Sequence, residues 1–421
     1  MKIKEILSKF LPVPAKTFHA KIWELTGILE RLRQNDVHQN IVIDDIKQLS
    51  NNLTNYIYSE LNEQRNFMNY TYTELNEHKN LANYVYTVLG ELRTLSSNEF
   101  AFLRSYIHRN INDYIYYTNE SMYEQDIAKK FFEFRKTDDF EQCYMKLIIG
   151  LDDDSRREVS LLHKRAEMIQ NGGNSLDIFT CDEQELMRYR HDFIAKRTLK
   201  ISDEWYCMGE YIMPDPRFFI DVFFDKLGTD LIYDKERIIN KCIMDVGAFI
   251  GDSLLIFSKL TNKQIYCFEP MAKNFEILDK TITLNNINSA VPVKAGLGEK
   301  KCKLNFSFIY EGPGSRISMK NDEVTEEVDV LKLDDFVDEN QIEVGLIKVD
   351  IEGSEQSFLK GAKKTIFEQK PVLIIAIYHN PEDFHFLKPE IESWNLGYSF
   401  KIFNPVEGSA IVGATLIAEV R

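Results

Sequence analysis

The chain contains 421 residues, which exceeds the usual size of one domain and predicts at least two structural units. Its formal net charge of -15 at pH 7 argues against nucleic acid as a partner, because phosphate binding requires clustered positive charge. The six cysteines show no CxxC or zinc-type spacing, no apolar run approaches the ~20 residues of a membrane span, and a secretory leader is not evident. These features favour a cytoplasmic location with free thiols.

Residues 1–125 are predicted to form a long helical region with a basic amphipathic start. Residues 1–11, MKIKEILSKFL, place their apolar side chains on one helical face and keep the lysines mostly off it. Such a helix can lie peripherally on the anionic inner face of the cytoplasmic membrane. It can equally pack on its own protein or on a twin subunit, and the pattern leaves both alternatives open.

An internal repeat predicts a coiled coil within this region. NYIYSELNE at Asn55 recurs as NYTYTELNE at Asn69 and more loosely as NYVYTVLGE at Asn83, so that the starts lie two heptads apart. A seven-residue column of mostly apolar side chains contains Leu61, Met68, Leu75, Ala82 and Leu89. A sustained seven-residue period indicates helices that pack on each other. We therefore expect a homo-oligomer, whose order the mixed seam leaves open.

Residues 126–234 are predicted to be mainly helical and to link the coil to the following domain or to cover it as a lid. Asp154 or Ser155 is expected to cap a helix, as small oxygen-bearing side chains do at helix starts. Pro214 and Pro216 interrupt regular structure in the aromatic-rich stretch that follows.

Residues 235–421 alternate short apolar runs with helical stretches, which is typical of an α/β fold with a doubly wound, mostly parallel sheet. Predicted strands cover Cys242–Val246, Gln264–Phe268, Ala290–Ala295, Val344–Asp350, Val372–Tyr378, Ser399–Phe403 and Ala414–Val420. A hairpin-like insertion is expected from Lys303–Tyr310 and Val328–Leu333, around the glycine-rich Glu311–Ser315.

The first predicted strand of this domain runs into the sequence DVGAFIGDS. Its glycines allow the backbone to bend and to approach a ligand where a Cβ would collide, and a helix is expected to begin just after them. Ligand contacts are expected from Asp245, Gly247, Ala248, Phe249, Gly251, Asp252 and Ser253. A tight strand-to-helix turn without a ligand is the alternative.

A second predicted strand ends in CFEP, which contains Glu269 and Pro270. A carboxylate at this place can accept hydrogen bonds from both ribose hydroxyls of a nucleoside cofactor. The glycine spacing GAFIG differs from the GxGxxG of dinucleotide sites, which gives room for a pyrophosphate. Because S-adenosylmethionine (SAM) has no pyrophosphate, the pattern favours SAM over NAD.

Charged residues interrupt the predicted strand IKVDIEGSE. Alternation along a strand places Lys348, Asp350 and Glu352 on one face, where a central parallel strand is normally apolar. Ionisable groups there are costly unless they pair or bind something, which predicts a ligand or substrate site at the strand end. A structural ion pair of Lys348 with Asp350 or Glu352 is the alternative. His379 leaves the end of the next strand beside this point.

Taken in this order and spacing, DVGAFIGDS, CFEP, LDDF at residues 333–336 and IKVDIEGSE resemble the markers of the FkbM family of SAM-dependent methyltransferases. The resemblance covers residues 237–421 and implies a Rossmann-like class I methyltransferase that O-methylates sugar or polyketide hydroxyls. The N-terminal segment is similar to helical leaders of bacterial surface-polysaccharide enzymes, which implies a glycan or sugar-containing acceptor. Phe249 departs from the family, which usually has a small polar residue there.

The resemblance also implies roles for the individual residues. Gly247 and Gly251 would seat the methionine end of SAM, Asp245 would bond its amino group directly or through water, and Glu269 would hold its ribose. Asp350 or His379 would take the proton of the acceptor hydroxyl, and Lys348 or Glu352 would orient the acceptor.

Three alternatives to O-methylation and one alternative role for the acids remain open at this point. The chain can instead be an N-methyltransferase acting on an amino sugar or peptide, an NAD-dependent oxidoreductase, or a non-catalytic scaffold built on the coil. Asp350 and Glu352 can instead hold a divalent cation, but no third oxygen ligand is evident from the sequence, and no metal is therefore expected.

Overall fold

The computed structural model describes residues 123–172, 178–202, 204–307, 325–405 and 409–420. All of them belong to the unit Asn119–Arg421. The predicted amphipathic start, the coiled-coil repeat and the glycine-rich tip of the insertion lie outside the described residues, so these three predictions stay predictions.

The described elements alternate between strands and helices over most of the chain. The strands are β1 Thr198–Lys200, β2 Tyr206–Met208, β3 Tyr211–Met213, β4 Cys242–Val246, β5 Ile265–Phe268, β6 Ala290–Val293, β7 Gly296–Leu297, β8 Cys302–Ser307, β9 Thr325–Leu331, β10 Val344–Val349, β11 Val372–Ala376, β12 Tyr398–Phe403 and β13 Thr415–Val420. The α-helices, after a helical stretch over 123–134, are α1 Phe140–Ile148, α2 Asp153–Gln170, α3 Cys181–Arg197, α4 Ile220–Phe223, α5 Glu236–Ile239, α6 Asp252–Phe257, α7 Ala272–Leu284, α8 Leu333–Asn340, α9 Glu355–Gly361, α10 Lys363–Gln369 and α11 Pro381–Ser393. A 3-10 helix covers Lys226–Leu231.

The central sheet has the strand order β12-β13-β11-β10-β4-β5-β6. The neighbouring pairs from β11 through β10, β4 and β5 to β6 are parallel, whereas β13 runs antiparallel to both β11 and β12. Every residue of β5, β10 and β11 is buried, as expected for strands with helices on both faces. The doubly wound, mostly parallel sheet is therefore confirmed.

The strand order defines where a ligand can bind. From β4 the chain continues to β5 and β6 on one side, whereas β10 and β11 lie on the other side. The order of strands thus reverses between β4 and β10. In open α/β sheets the crevice at the carboxyl ends of the strands on either side of such a reversal is the usual binding site.

The predicted strands of the sheet are all present, with ends that differ by at most two residues. The periodic apolar runs were sufficient to locate them because the parallel strands are buried on both faces. The predicted insertion also forms a hairpin, in which β8 and β9 pair antiparallel from Cys302 opposite Val330 to Ser307 opposite Thr325.

The helices that precede the sheet share its core. Ile127, Phe131 and Leu162 belong to the same cluster of buried side chains as Leu373 of β11 and Phe384 of α11. The part of residues 126–234 that includes α1 and α2 is therefore integral to the fold, and a lid function for the region stays a prediction. Among the helices described here, none is long and apolar enough to cross a membrane.

One expected helix cap was placed two or three residues too late. Asp152, and not Asp154 or Ser155, precedes α2, and its side chain accepts a hydrogen bond from the backbone N–H of Ser155. Ser155 instead turns its hydroxyl to the sheet, where it accepts from the backbone N–H of Ile402 in β12. Because any of the four consecutive acid or hydroxyl residues at 152–155 can cap a helix, the sequence alone did not distinguish them.

A second apolar cluster covers the start of α6. Met213, Phe218 and Phe223 from the hairpin β2–β3 and its continuation pack against Ile250 and Leu255. Asn285 fixes the hairpin to α7, because its side-chain amide accepts from the backbone N–H of Ile212 and donates to the carbonyl oxygen of the same residue. This packing holds the loop between β4 and α6 from the outside.

Candidate active site at the carboxyl edge of the sheet

Two glycines shape the loop between β4 and α6. Gly247 and Gly251 have φ angles of +80° and +85°, which side-chain-bearing residues rarely adopt. A Cβ at Gly247 would lie 1.9 Å from the carbonyl oxygen of Asp350, so that the loop can approach the end of β10 only with glycine at this position. A Cβ at Gly251 would meet Leu278 of α7 at 2.9 Å. As predicted, a helix, α6, begins at Asp252.

Phe249, the residue that departs from the family pattern, is fixed by packing. Its backbone is in the left-handed region, with φ of +47°. Its ring lies 6.5 Å from the ring of Phe219 and 5.3 Å from the guanidinium carbon of Arg217. A large aromatic residue at this position thus ties the glycine loop to the segment that covers it.

Asp245 of β4 is hydrogen-bonded to the start of α6, across the glycine loop. It is fully buried, and its Oδ2 accepts a hydrogen bond of 2.6 Å from the hydroxyl of Ser253, whereas its Oδ1 has no hydrogen-bond partner among the described residues. Burial raises the pKa of this carboxyl against the opposing charge of Lys348. Asp245 thus holds Ser253 at the start of α6, and its predicted bond to the amino group of SAM, direct or through water, stays a prediction.

Lys348 connects β10 to the same loop. Its Nζ donates to the carbonyl oxygen of Gly247 at 2.7 Å and lies 3.5 Å from Oδ1 of Asp245. The alternative ion pair predicted with Asp350 or Glu352 is therefore replaced by one with Asp245. The side chain of Lys348 is only 9% exposed and turned to the glycine loop, and its predicted role in orienting an acceptor stays a prediction.

Glu269 lies at the end of β5, where the sequence predicted it. Its Oε2 accepts a hydrogen bond from the backbone N–H of Phe249, and its Oε1 accepts from the backbone N–H of Met271 and from the side-chain amide of Asn274. Burial raises the pKa of this carboxyl to about 7 in spite of these hydrogen bonds. Pro270 separates the carboxylate from α7 and lies beside Gly296.

Asp350 and Glu352 lie beyond the strand and not within it. β10 ends at Val349, and Glu352 has a φ angle of +58° in the turn that follows. The alternation that placed Lys348, Asp350 and Glu352 on one strand face was therefore wrong for the last two. The turn nevertheless keeps both acids at the sheet edge, with side-chain exposures of 38% for Asp350 and 25% for Glu352. Tyr123 donates its hydroxyl to Glu352 at 3.0 Å.

His379 follows β11 and faces three carboxylates. Its Nε2 lies 3.4 Å from Oδ1 of Asp350 and 3.5 Å from Oε2 of Glu352, and its Nδ1 lies 3.1 Å from Oε1 of Glu355. Burial lowers the pKa of His379, but these carboxylates together raise it to about 10. These carboxylates favour the protonated imidazole, and the choice between Asp350 and His379 as the base stays a prediction.

Two acids of this edge were not selected from the sequence. Glu355 is the last residue of IKVDIEGSE, and its Oε1 accepts from the backbone N–H of Ile351. Asp221 in α4 lies near Asp252 and Asp350, and its burial together with these charges raises its pKa to about 7. The motif itself was a signal for Glu355, whereas Asp221 comes from a segment 129 residues before Asp350 without a recognisable pattern.

Strand order and site together define the class of protein. A seven-stranded sheet whose last strand is antiparallel, with a glycine loop after β4 and an acid after β5, is the class I methyltransferase fold. The FkbM methyltransferase domain model matches residues 245–400. The C-terminal part of this chain, residues 245–400, is therefore similar to the FkbM methyltransferases.

Similarities to individual proteins are as follows. "Methyltransferase 1" of Beauveria bassiana (strain ARSEF 2860) is 26% identical over 202 residues, which cover 40% of this chain and 81% of the relative. The crystal structure of methyltransferase FkbM from Methylobacillus flagellatus KT aligns with 66% of this chain and 58% of its own length, at 21% identity and a TM-score of 0.42. Fibrillarin of Aeropyrum pernix with natively bound SAM aligns with 46% of this chain and 74% of its own, at 12% identity and a TM-score of 0.28.

Proposed function

We propose that the protein is a SAM-dependent O-methyltransferase that methylates a hydroxyl group of a sugar-containing acceptor, in the synthesis of a bacterial surface polysaccharide or glycoconjugate. One observation carries the proposal. At the point where the strand order reverses, a glycine loop and Glu269 lie on one side, and partly exposed acids lie on the other. The first half suits a nucleoside cofactor, and the second half suits a neutral, hydroxyl-rich acceptor.

The residues around the glycine loop fit SAM. A carboxylate offers about four acceptor positions. Backbone and amide donors use three positions of Glu269, which fixes its orientation and leaves capacity for a ribose hydroxyl. Gly247, Ala248 and Gly251 form the turn against which the methionine end would lie, and Asp252 and Ser253 follow it. When bound, SAM supplies an electrophilic methyl group on a sulfonium.

The protein's own contribution to the reaction is assigned to the acids after β10. Asp350 is the more exposed of the two, and its backbone N–H donates to the carbonyl oxygen of Val246 in β4, so that the side chain stands beside the glycine loop. We assign Asp350 as the base that accepts the proton of the acceptor hydroxyl. His379 behind it lies 3.4 Å from Asp350 and 3.5 Å from Glu352 and orients both acids, and Glu352 orients the acceptor.

The acceptor class follows from the charge at this edge. Asp221, Asp350 and Glu352 present acidic groups, which disfavour a phosphate-rich acceptor and provide hydrogen-bond acceptors for sugar hydroxyls. An amino sugar or a peptide amine is the alternative, because an amine is also attracted by carboxylates.

The experiment is a methyl-transfer assay with isotope-labelled SAM and a panel of nucleotide sugars, lipid-linked glycans and amino-sugar peptides. The proposal expects label in a product whose new methyl group lies on oxygen, as resolved by NMR. A product methylated on nitrogen would replace the proposal by its alternative. Absence of any product in all acceptor classes, with SAM bound, would contradict it.

The proposal extends to the N-terminal region. We infer that the repeat at residues 55–91 assembles a homo-oligomer in the cytoplasm and that residues 1–11 contact the membrane surface peripherally. Light scattering of the full chain is expected to give a multiple of the monomer mass that Leu61→Glu together with Leu75→Glu reduces. Sedimentation with anionic vesicles is expected to depend on residues 1–11, and an unchanged distribution after their deletion would contradict the membrane contact.

A further inference from the structure

Three side chains converge at the carboxyl edge, and the chemistry proposed above uses two of them, Asp350 and His379, without using their convergence. Asp350, Glu355 and His379 each offer one oxygen or nitrogen atom, and these atoms lie within 4.8 Å of one another. We infer that they bind a divalent transition-metal cation. The existence of this site is independent of the proposed function, whereas its role in catalysis rests on it.

Unpartnered buried atoms point into the cluster. Both ring nitrogens of His379 and Oε2 of Glu355 are buried and have no hydrogen-bond partner among the described residues. His379 is 4% exposed and Glu355 is 1% exposed. Buried polar atoms of this kind are costly when they remain unpaired, and a folded protein normally satisfies them. A cation bound by the three side chains would satisfy Oε2 of Glu355 and one of the two ring nitrogens of His379.

The distances suit coordination after small side-chain adjustments. Ligand atoms 2.0–2.3 Å from one ion, at ordinary coordination angles, are separated by about 2.8–3.8 Å. Nε2 of His379 lies 3.4 Å from Oδ1 of Asp350, and one ligand atom from each of the three side chains lies within 4.8 Å of the others. Glu352, whose Oε2 is 3.5 Å from Nε2, supplies a further carboxylate at the open side of the cluster.

The structure also fixes the ligands in place. Glu355 is oriented by the backbone N–H of Ile351, which donates to its Oε1 at 3.0 Å and leaves Oε2 for the cation. Asp350 is oriented by the hydrogen bond from its own backbone N–H to Val246. Hydrogen bonds that fix the ligand-bearing groups in this way hold metal ligands in one geometry.

The ligand set selects the kind of cation. One imidazole with two or three carboxylates favours Mn²⁺, Fe²⁺ or Zn²⁺, whereas Mg²⁺ and Ca²⁺ prefer oxygen ligands alone. The sequence had disfavoured a metal because it showed no third ligand beside Asp350 and Glu352. The fold supplies it, because the turn at Glu352 and Gly353 brings Glu355 to within 3.1 Å of His379.

The cation has a defined use if the proposed function holds. Asp350 is 38% exposed, so that one side of the site opens towards the acceptor. The acceptor hydroxyl oxygen would be a further ligand, which lowers the pKa of the hydroxyl. The O–H bond breaks, its proton passes to the free Oδ2 of Asp350, and the oxygen forms the new bond to the methyl carbon as the bond from that carbon to sulfur breaks.

The full chain is first treated with EDTA and desalted, and Mn²⁺ is then titrated into it. Binding is followed by electron paramagnetic resonance, and displacement of Mn²⁺ by Zn²⁺ is a second readout. The expected result is one saturable Mn²⁺ per chain. Asp350→Asn and His379→Gln each alter a ligand itself and should each weaken it by at least about 10–100-fold, the loss that follows when only an outer partner of a ligand is removed. Glu299→Gln, an exposed acid elsewhere on the domain, should leave it unchanged.

Folding and cofactor binding are measured on the same samples. Asp350 is partly exposed, so Asp350→Asn is expected to fold even if the substitution of buried His379 fails. Titration of S-adenosylhomocysteine in the presence of EDTA tests the cofactor separately. Wild-type protein that binds the nucleoside but neither Mn²⁺ nor Zn²⁺ would overturn the cation site and leave the proposed function standing. Cation binding that survives both substitutions would also overturn it.

Discussion

The two sides of the sheet reversal are built differently. On the β4–β5 side, Glu269 is held by three hydrogen bonds, two of them from backbone N–H groups, and the loop has no freedom at Gly247. On the β10–β11 side, His379 stands near three carboxylates without a hydrogen bond of good geometry. The first side is a rigid cradle made by the backbone, and the second is a cluster of charges that another ligand can complete.

Because the two sides are built differently, substitutions act on them in different ways. A cradle formed by the backbone depends on φ angles and on the absence of a Cβ, so substitutions there act through shape. A charge cluster depends on the identity of a few side-chain atoms, so isosteric substitutions that remove one charge act through chemistry. The following predictions separate these two kinds of effect.

The largest effect is expected from Gly247→Ala. The new Cβ would lie 1.9 Å from the carbonyl oxygen of Asp350, so that the loop must leave the end of β10. Binding of S-adenosylhomocysteine and methyl transfer should both be lost, as measured by calorimetry and by the labelled-SAM assay.

Gly209→Ala provides the matched control for this substitution. Gly209 also has a positive φ, of +62°, but a Cβ there would meet nothing within 4 Å. It should lower the free energy of unfolding by about 1 kcal/mol from backbone strain and leave binding intact. Equal binding losses in both variants would show that φ and not the close approach to Asp350 matters.

The next effect is expected from Asp350→Asn, which keeps shape and removes charge. Loss of a general base typically lowers the rate by about 10²–10⁴-fold. We expect this loss in the rate of methyl transfer to an accepted sugar, with a much smaller change in S-adenosylhomocysteine affinity. Asp279→Asn, an exposed acid of α7, should behave as wild type. A rate within threefold of wild type would remove Asp350 from the chemistry, since a base contributes at least about 10²-fold.

A smaller effect is expected from pH on cofactor affinity. Burial raises the pKa of Glu269 to about 7, so that the carboxylate loses its charge as pH falls through 7. Because a ribose hydroxyl donates best to the ionised form, the Kd of S-adenosylhomocysteine should rise by up to about tenfold per pH unit below 7. Glu269→Gln, which is neutral throughout, should show a flat profile from pH 6 to 8. A flat wild-type profile would contradict this account of Glu269.

The smallest effect is expected on stability and not on activity. It comes from a buried histidine pair outside the candidate active site. His163 and His385 lie 3.2 Å apart between their Nε2 atoms, and burial lowers their pKa values to about 3 and about 4. In the unfolded chain both would titrate near 6.5. Their contribution to stability is therefore full above pH 6.5 and is lost as pH falls towards 4.

His163→Gln is the variant that measures this contribution. Below pH 6.5, each buried neutral histidine lowers the free energy of unfolding by up to about 1.4 kcal/mol per pH unit. The difference in unfolding free energy between wild type and variant should therefore change by about 2 kcal/mol from pH 7 to pH 5, as followed by urea denaturation. Parallel curves for the two proteins would contradict the buried neutral state of His163.

The sequence predicted the sheet and the residues of the cradle well, for a physical reason. Parallel strands such as β10 and β11 are continuous apolar runs, and the glycines of DVGAFIGDS and the acid of CFEP follow their strands directly. Local pattern and tertiary position coincide there. The ends of the strands were within two residues because burial stops where the crevice begins.

The partners of the charged residues could not be predicted. Strand alternation paired Lys348 with Asp350 or Glu352, but the register of β10 against β4 places Lys348 opposite Asp245. The positive φ of Glu352 ended the alternation and brought Glu355 to His379. Both outcomes depend on contacts between distant segments, and Tyr123 and Asp221 reached this edge from still further along the chain.

The central claim is that the cradle at β4 and β5 binds the nucleoside of SAM, and its most direct test is calorimetric titration of S-adenosylhomocysteine into the full chain. The account predicts micromolar binding that Glu269→Ala weakens strongly, that Glu276→Ala on the exposed face of α7 leaves unchanged, and that NADH does not reproduce. No binding by well-folded wild-type protein, or an equal response to NADH, would contradict it. If well-folded wild-type protein does not bind, the coil, acting as a scaffold, would be the functional part of the chain.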